Sequence, residues 1–508
     1  MSPRPARAAV PARWAARDRP TRPWHPSSDA YAVTDVRRAP APEIAGTMPG
    51  VPWSADRAYP IRPADLRRPG SSIPVWLPLR LALAWLLGTF AVFWLTEPAR
   101  RVENPGQLCT FVLSATALFA MGYAARIRRR RPLSTVTGCT ADQLRGVRQL
   151  VLAGAIYYGV LNLARLRDFG ATGPQSVWAS IQDPATAYAN KFDVYQQNMT
   201  SGSALLALLM PLGVLSTVLV PLLVVHWREL PAWLRLAGFV GTALHLAFYL
   251  FIGTMKGLGD VAIMVVAGLL VAVATARRRG RAGSRSRLAL LLVAGVCALT
   301  ATYMVHSHAM RAAEFGSAGA LVRASPAVER AVGPDTAEGV AALIGYPTHG
   351  YLGLSYNLRL PFEWSRGLGS APAATMLAED AVGVDPTAHP TYPDRTEEAT
   401  GWPARLYWAT IYPWLASDLT FVGAALFMGL VGWLFASSWC AALTTRRVVP
   451  TVIFGQVCIL IVYVPANNQL GMAPESVVGI VTLLALYLIQ RPTPGHPPAA
   501  PAGRTRRA

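Results

Sequence analysis

The chain has 508 residues, of which 53% are hydrophobic and only 15% charged, a balance too apolar for an ordinary soluble enzyme of this length. Its formal net charge of +20 comes almost wholly from arginine, since the only lysines are Lys191 and Lys256. The arginines stand in short blocks beside apolar runs instead of forming an aromatic-interleaved groove, which argues against a nucleic-acid partner and for membrane topology.

Residues 1–72 are rich in Pro, Ala and Arg without sustained apolar periodicity. They bury too little to offset ordering entropy and read as a disordered cytoplasmic tail, as do 491–508. The first apolar run starts late and is long enough to stay as an anchor, unlike a cleavable signal. Ten runs of roughly 17 to 25 residues, the length that crosses a hydrocarbon core, follow near 75–96, 107–125, 147–166, 203–226, 232–252, 257–276, 288–306, 419–439, 450–466 and 474–490. The expected fold is all-α, a polytopic transmembrane bundle of about ten spans with one large external loop. Spans one to seven occupy 73–306, the loop 307–407 with short helices near 337–344 and 352–360, and spans eight to ten 408–490. The Arg-rich connections 126–148, 277–287 and 446–447 fall on one side if the spans alternate, so the positive-inside rule places them and both termini in the cytoplasm. Acidic residues outnumber arginines in the loop on the other side, while Arg100 and Arg101 are an exception in the first external connection.

Cys109, Cys297 and Cys458 lie in spans, Cys139 in a cytoplasmic connection and Cys440 at a cytoplasmic helix end. The external side therefore offers no disulfide, thiolate zinc site or cysteine nucleophile. The histidines lack ligand spacing, and neither a phosphate-binding Gly-rich loop nor a dinucleotide fingerprint occurs, so no metal and no cofactor are expected.

Polar residues concentrate at the external face. Lys256 and Asp260 lie four apart at the break between two spans, where ionisable groups are costly. They either pair with each other and cap a hairpin, or Lys256 meets an anionic headgroup such as a lipid diphosphate. In the loop, Tyr351, Tyr356, Phe362 and Trp364 offer faces for sugar rings, and Arg359 and Arg366 offer forks for phosphate or carboxylate, beside His349 and Glu363. Each aromatic alone would equally serve as an interfacial anchor. Trp414 and Asp418 lead into the eighth span, and Asn467, Asn468 and Gln469 close the ninth with an amide cluster that either binds hydroxyls or is a solvated helix end.

The long external loop near the C-terminus, Met255-Lys256-Gly257 at an outer helix turn, and the segments 351–355, 361–364, 412–418 and 465–469 together resemble Wzy-type polysaccharide (O-antigen) polymerases and the related O-antigen ligases. The likeness covers roughly residues 75–490. One departure is that Met255-Lys256-Gly257 stands where many members carry Ser-Arg-Gly, which keeps the charge and loses the bidentate fork. The resemblance implies a multi-pass protein of the bacterial cytoplasmic membrane that joins polyprenyl-diphosphate-linked repeat units on the outer face. Its partners would be those lipid-linked glycans, membrane lipids and other polysaccharide-assembly proteins. Arg359, Arg366, Arg311 and Lys256 would then hold the diphosphate, with His349 or Glu363 as base and Asp418 in reserve. Alternatives are a transporter or flippase of lipid-linked sugars, which would place charges deep in several spans around a midplane cavity, a glycan ligase, and a lipid-phosphate-sugar glycosyltransferase, which would carry an acidic pair in its first external connection.

Overall fold

The computed structural model describes residues 75–129, 140–198, 204–278, 283–315, 322–383, 385, 388–404, 406–445 and 447–490. The expectations for both tails, for Cys139 and for parts of the Arg-rich connections lie outside these residues. Every regular element among the described residues is helical.

Helices α1 (Leu77–Phe93), α2 (Pro105–Arg128) and α3 (Ala141–Asp168) are followed by two polar helices, α4 (Pro174–Gln182) and α5 (Pro184–Asn198). A bent pair, α6 (Ala204–Leu209) and α7 (Val214–Val225), leads to α8 (Ala232–Phe251), α9 (Lys256–Arg278) and α10 (Gly283–Phe315). Five short helices come next: α11 (Pro326–Val332), α12 (Pro334–Gly345), α13 (Gly350–Asn357), α14 (Pro372–Val382) and α15 (Tyr392–Thr400). The chain closes with α16 (Tyr412–Thr445), α17 (Val448–Tyr463) and α18 (Pro474–Ile489).

Six of these helices, α2, α3, α8, α9, α10 and α16, are long and apolar enough to cross a membrane, and the α6–α7 segment makes a seventh if its 58° bend lies within one span. The expectation of ten meets three helices, α1, α17 and α18, of only 17, 16 and 16 residues. At 1.5 Å per residue these reach about 25 Å, short of a hydrocarbon core of about 30 Å. Two expected boundaries also move. Helix α10 runs on to Phe315, so the first nine residues of the segment expected as loop are helical. The helix expected at 352–360 is α13, which ends at Asn357, ahead of the non-helical Pro361.

The core is built where α16 packs along α2. Phe435 stacks on Phe454 of α17 at 5.2 Å, and Trp439 is fully buried against the same ring. Helix α3 lies on α8, where Gly241 lets the α3 backbone at Ala155 come close. The α10 span buries none of its apolar window. That face is suited to lipid, which solvates Leu and Val as well as a protein core would.

Candidate functional site

The C-terminal ends of α3 and α8 meet the N-terminal ends of α9 and α18, and each brings an ionisable group to the junction. Arg165, in the last turn of α3, pairs with Glu475, in the first turn of α18, at 2.9 Å, with side chains 17% and 16% exposed. Asp260, one turn into α9, accepts from the Gln469 amide at 3.4 Å, and Tyr463 stands nearby. His245 of α8 lies edge-on between Tyr158 at 4.5 Å and Tyr249 at 5.0 Å. With Lys256 these groups line a cavity of about 40 Å³, roomy enough for a few waters. No ion pair joins Lys256 to Asp260 among the described residues; they attract across the cavity without coming within 4 Å.

Local sequence explains the turn that carries Lys256. Gly253 stands at φ 61°, a conformation that favours glycine, and a side chain there would strike Pro184 and Tyr188 of α5. Gly257 admits the Tyr249 ring so closely that a Cβ would lie 2.1 Å from it. Lys256 is thus held on a turn clamped from two sides.

A second polar group adjoins the first through that same turn. Arg311, near the end of α10, donates to the Gly253 carbonyl and lies 4.0 Å over the Tyr188 ring. Tyr346, between α12 and α13, is packed by Trp408 at 4.0 Å and His308 at 5.3 Å, and burial pushes its hydroxyl up to about 12. Here the Arg311 Nε, the Tyr303 hydroxyl and Thr254 Oγ1, and at the first cavity Asp260 Oδ1, are buried without a hydrogen-bond partner among the described residues. Buried polar atoms are normally satisfied, so water or another polar partner would complete these.

The remaining expected residues go elsewhere. His349 is buried, donating from Nδ1 to Gly345 O at 2.8 Å and accepting the Trp408 N–H on Nε2 at 3.2 Å. Both nitrogens are engaged, and burial holds the ring down to about 4, so it is fitted for support more than proton transfer. Tyr351 turns into the core, its hydroxyl 3.0 Å from Thr89 Oγ1 and its ring against Phe90 and Phe93. Asp418 staples the connection that follows Trp364: one carboxylate oxygen accepts from Ser365 Oγ at 2.5 Å and Gly367 N at 2.8 Å, the other from Ser370 N at 2.7 Å. Asn468 donates to Ser370 O, tying that connection to the α17–α18 turn, and Trp414 is buried in the first turn of α16. Asn467 Oδ1 is buried without a partner.

Arg359, Glu363, Trp364 and Arg366 form an exposed rim at the far end of α13. Arg359 pairs with Glu103 at 2.6 Å and Glu363 with Arg395 at 2.7 Å. Trp364 is 61% exposed, and Arg366 is exposed at φ 54°. Tyr356 packs on Trp402 at 5.6 Å. Helix α13 has eight residues, so about 12 Å of helix separates its two neighbourhoods. The structure thus brings Lys256, Asp260 and Gln469 to one cavity, sets Arg311 against the turn that carries Lys256, and keeps Arg359, Glu363, Trp364 and Arg366 apart. It adds Arg165, His245, Tyr346, Tyr463 and Glu475, whose one available signal was an ionisable or hydroxyl group near the end of an apolar run. No protein-family model matches the chain, and no curated protein or solved structure matches it significantly.

Proposed function

We propose that this chain is a bacterial cytoplasmic-membrane glycosyltransferase that joins polyprenyl-diphosphate-linked oligosaccharide units on the outer face, with α1, α7, α17 and α18 completing about ten spans, residues 307–407 external and both termini cytoplasmic. The observation that supports it is the gathering of Lys256, Asp260, Arg165 and Glu475 around one cavity, with Arg311 on the adjoining Gly253 turn, at one end of an otherwise apolar bundle. That end is where a lipid headgroup would sit.

In this reading Lys256 and Arg311 hold the departing diphosphate, and the Arg165–Glu475 pair fixes the junction. The acceptor hydroxyl attacks the anomeric carbon, the bond from that carbon to the diphosphate oxygen breaks, and the hydroxyl proton passes to a carboxylate. Asp260, with one oxygen unpaired, suits that role better than His349 or Asp418, whose lone pairs and protons are already committed. Arg359, Arg366 and Trp364, on the exposed rim, would guide the acceptor glycan.

One observation favours transport as the second reading: charges from α3, α9 and α18 converge with His245 of α8 beside a cavity, near a bent helix pair. The place of Arg165, Lys256 and Glu475 in first or last turns favours headgroup chemistry instead.

The test is complementation of a deletion strain with Lys256→Ala, Arg311→Ala and Arg359→Ala, sizing surface polysaccharide and profiling lipid-linked glycans. We expect the first two to cut polymer at least about 100-fold at normal protein level, with single units accumulating outside, and the third to retain most polymer. Units accumulating on the inner leaflet would establish transport. Full-length polymer in the Lys256 and Arg311 variants would overturn the proposal.

A further inference from the structure

A larger cavity, about 360 Å³, opens beside the junction, between the C-terminal ends of α3 and α8 and the polar helix α5. Its volume falls in the range of about 300–1,000 Å³ typical of small-molecule sites. One wall is apolar, made by Phe169, Phe251 and Ile252; the other carries Ser180, Asn190 and Lys191. Helix α5 devotes one face to it, because Ala187, Asn190, Lys191 and Val194 recur at the i, i+3, i+4, i+7 spacing.

The cavity's cation is unusual for this chain. Arginine supplies the positive charge everywhere except at Lys191 and Lys256, and both lie within reach of the Gly253 turn. Lys191 places its ammonium 4.6 Å from the Tyr188 ring, on which the Arg311 guanidinium also rests at 4.0 Å. Two cations are thereby gathered on one aromatic ring. Burial, and after it the Arg311 charge, pull the Lys191 amine down to about 8. An anion entering the cavity would relieve both effects, since it replaces lost solvation and screens the repulsion.

We propose that this cavity is a binding site for the phosphate of an amphiphilic ligand, with Lys191 contacting the phosphate, the Asn190 amide donating to its oxygens, and the first carbons of the chain lying on Phe169 and Phe251. A lysine meets a phosphate as a compact point charge. The site rests on α3 and α8 being membrane spans; it does not depend on glycosyl transfer, so its failure would leave the preceding proposal standing.

The experiment is calorimetric titration of the full-length protein in phosphatidylcholine nanodiscs with hexyl phosphate, inorganic phosphate and hexanol. Hexyl phosphate should bind saturably and hexanol should not. Lys191→Gln should weaken hexyl phosphate binding by roughly tenfold or more, the loss of one charge-assisted hydrogen bond, while Lys191→Arg stays within about threefold. Ala187→Leu, which fills the cavity without touching a charge, should weaken it comparably; thermal melting of each variant checks that it remains folded. Hexyl phosphate binding about tenfold tighter than inorganic phosphate identifies a lipid headgroup, whereas equal affinities overturn the lipid source and leave a free-phosphate site. Absence of saturable binding, or unchanged affinity in both Lys191→Gln and Ala187→Leu, overturns the site.

Discussion

His349 shows how burial decides what a chemically capable side chain does. Its ring is stacked on Trp408 at 5.2 Å, and both nitrogens are fixed by backbone partners, so protonation would desolvate a charge and break the bond accepted from the Trp408 N–H. The group is held down to about 4 in the fold, against an unfolded value near 6.5. Between those values the unfolded chain binds more protons than the native one, so stability rises with pH. The contribution is complete above pH about 6.5 and drains away as the pH falls toward 4, at up to about 1.4 kcal/mol per pH unit. Melting the purified protein at pH 7, 6 and 5 should therefore show a falling midpoint in the native chain and a shallower fall in His349→Gln, which retains His308 and every carboxylate. Identical pH slopes in the two proteins would show that His349 titrates freely. From the sequence, His349 looked like a base because glycines and aromatics surround it; those same aromatics enclose it, and nothing in residue order distinguishes a ring that lines a cleft from one that is sealed in.

Helices α2 and α16 press together so closely that glycine is required on both sides. A Cβ on Gly432 would lie 2.0 Å from the Phe119 carbonyl, and one on Gly122 would lie 1.9 Å from the Gly429 carbonyl; backbone cannot yield as a side chain can. Gly432→Val should therefore force the helices apart, costing at least the ~1–3 kcal/mol of core overpacking and lowering the melting midpoint by several degrees. Gly88→Ala, where a Cβ meets nothing within 4 Å, should leave the midpoint unchanged or slightly raised. Equal midpoints for both variants would mean that the crossing is looser than described. The apolar runs that announced these helices were plain in the sequence, because a 3.6-residue repeat is not needed when every face is apolar. Their interruptions were less visible: Pro211 and Gly213 flag the α6–α7 bend, whereas nothing in the residue type announces Thr420, at φ 65° inside α16. Asp418 was read as reactive because it stands at a span's edge, but its hydrogen bonds come from residues about 50 positions away, a pairing only the folded chain reveals.

Across the whole bundle, charge and helix alternation give one consistent reading. If every apolar element crosses, the junction of α3, α8, α9 and α18 and the rim at Glu363 share one side of the membrane, opposite the Arg-rich turns. The site was only half legible for a related reason. Lys256, Asp260 and Gln469 stand out at span ends, but Arg165 and Glu475 acquire meaning only when their 310-residue separation closes to an ion pair. The uncertain members of the alternation are the short helices α1, α17 and α18, which reach across a bilayer only if it thins or their ends snorkel. Cysteine labelling resolves the sidedness. In a variant with Cys109, Cys139, Cys297, Cys440 and Cys458 replaced, single cysteines at Gln175 and Glu398, both exposed, should react with a membrane-impermeant thiol reagent on intact cells. Cysteines at Asp142, exposed in the first turn of α3, and Arg228, exposed before α8, should react only after lysis. The Glu398 result is the sharper one, because it lies beyond α10 and before α16, the two longest spans. Labelling of Glu398 and Asp142 on the same side would break the alternation and overturn the external placement of the segment between α10 and α16.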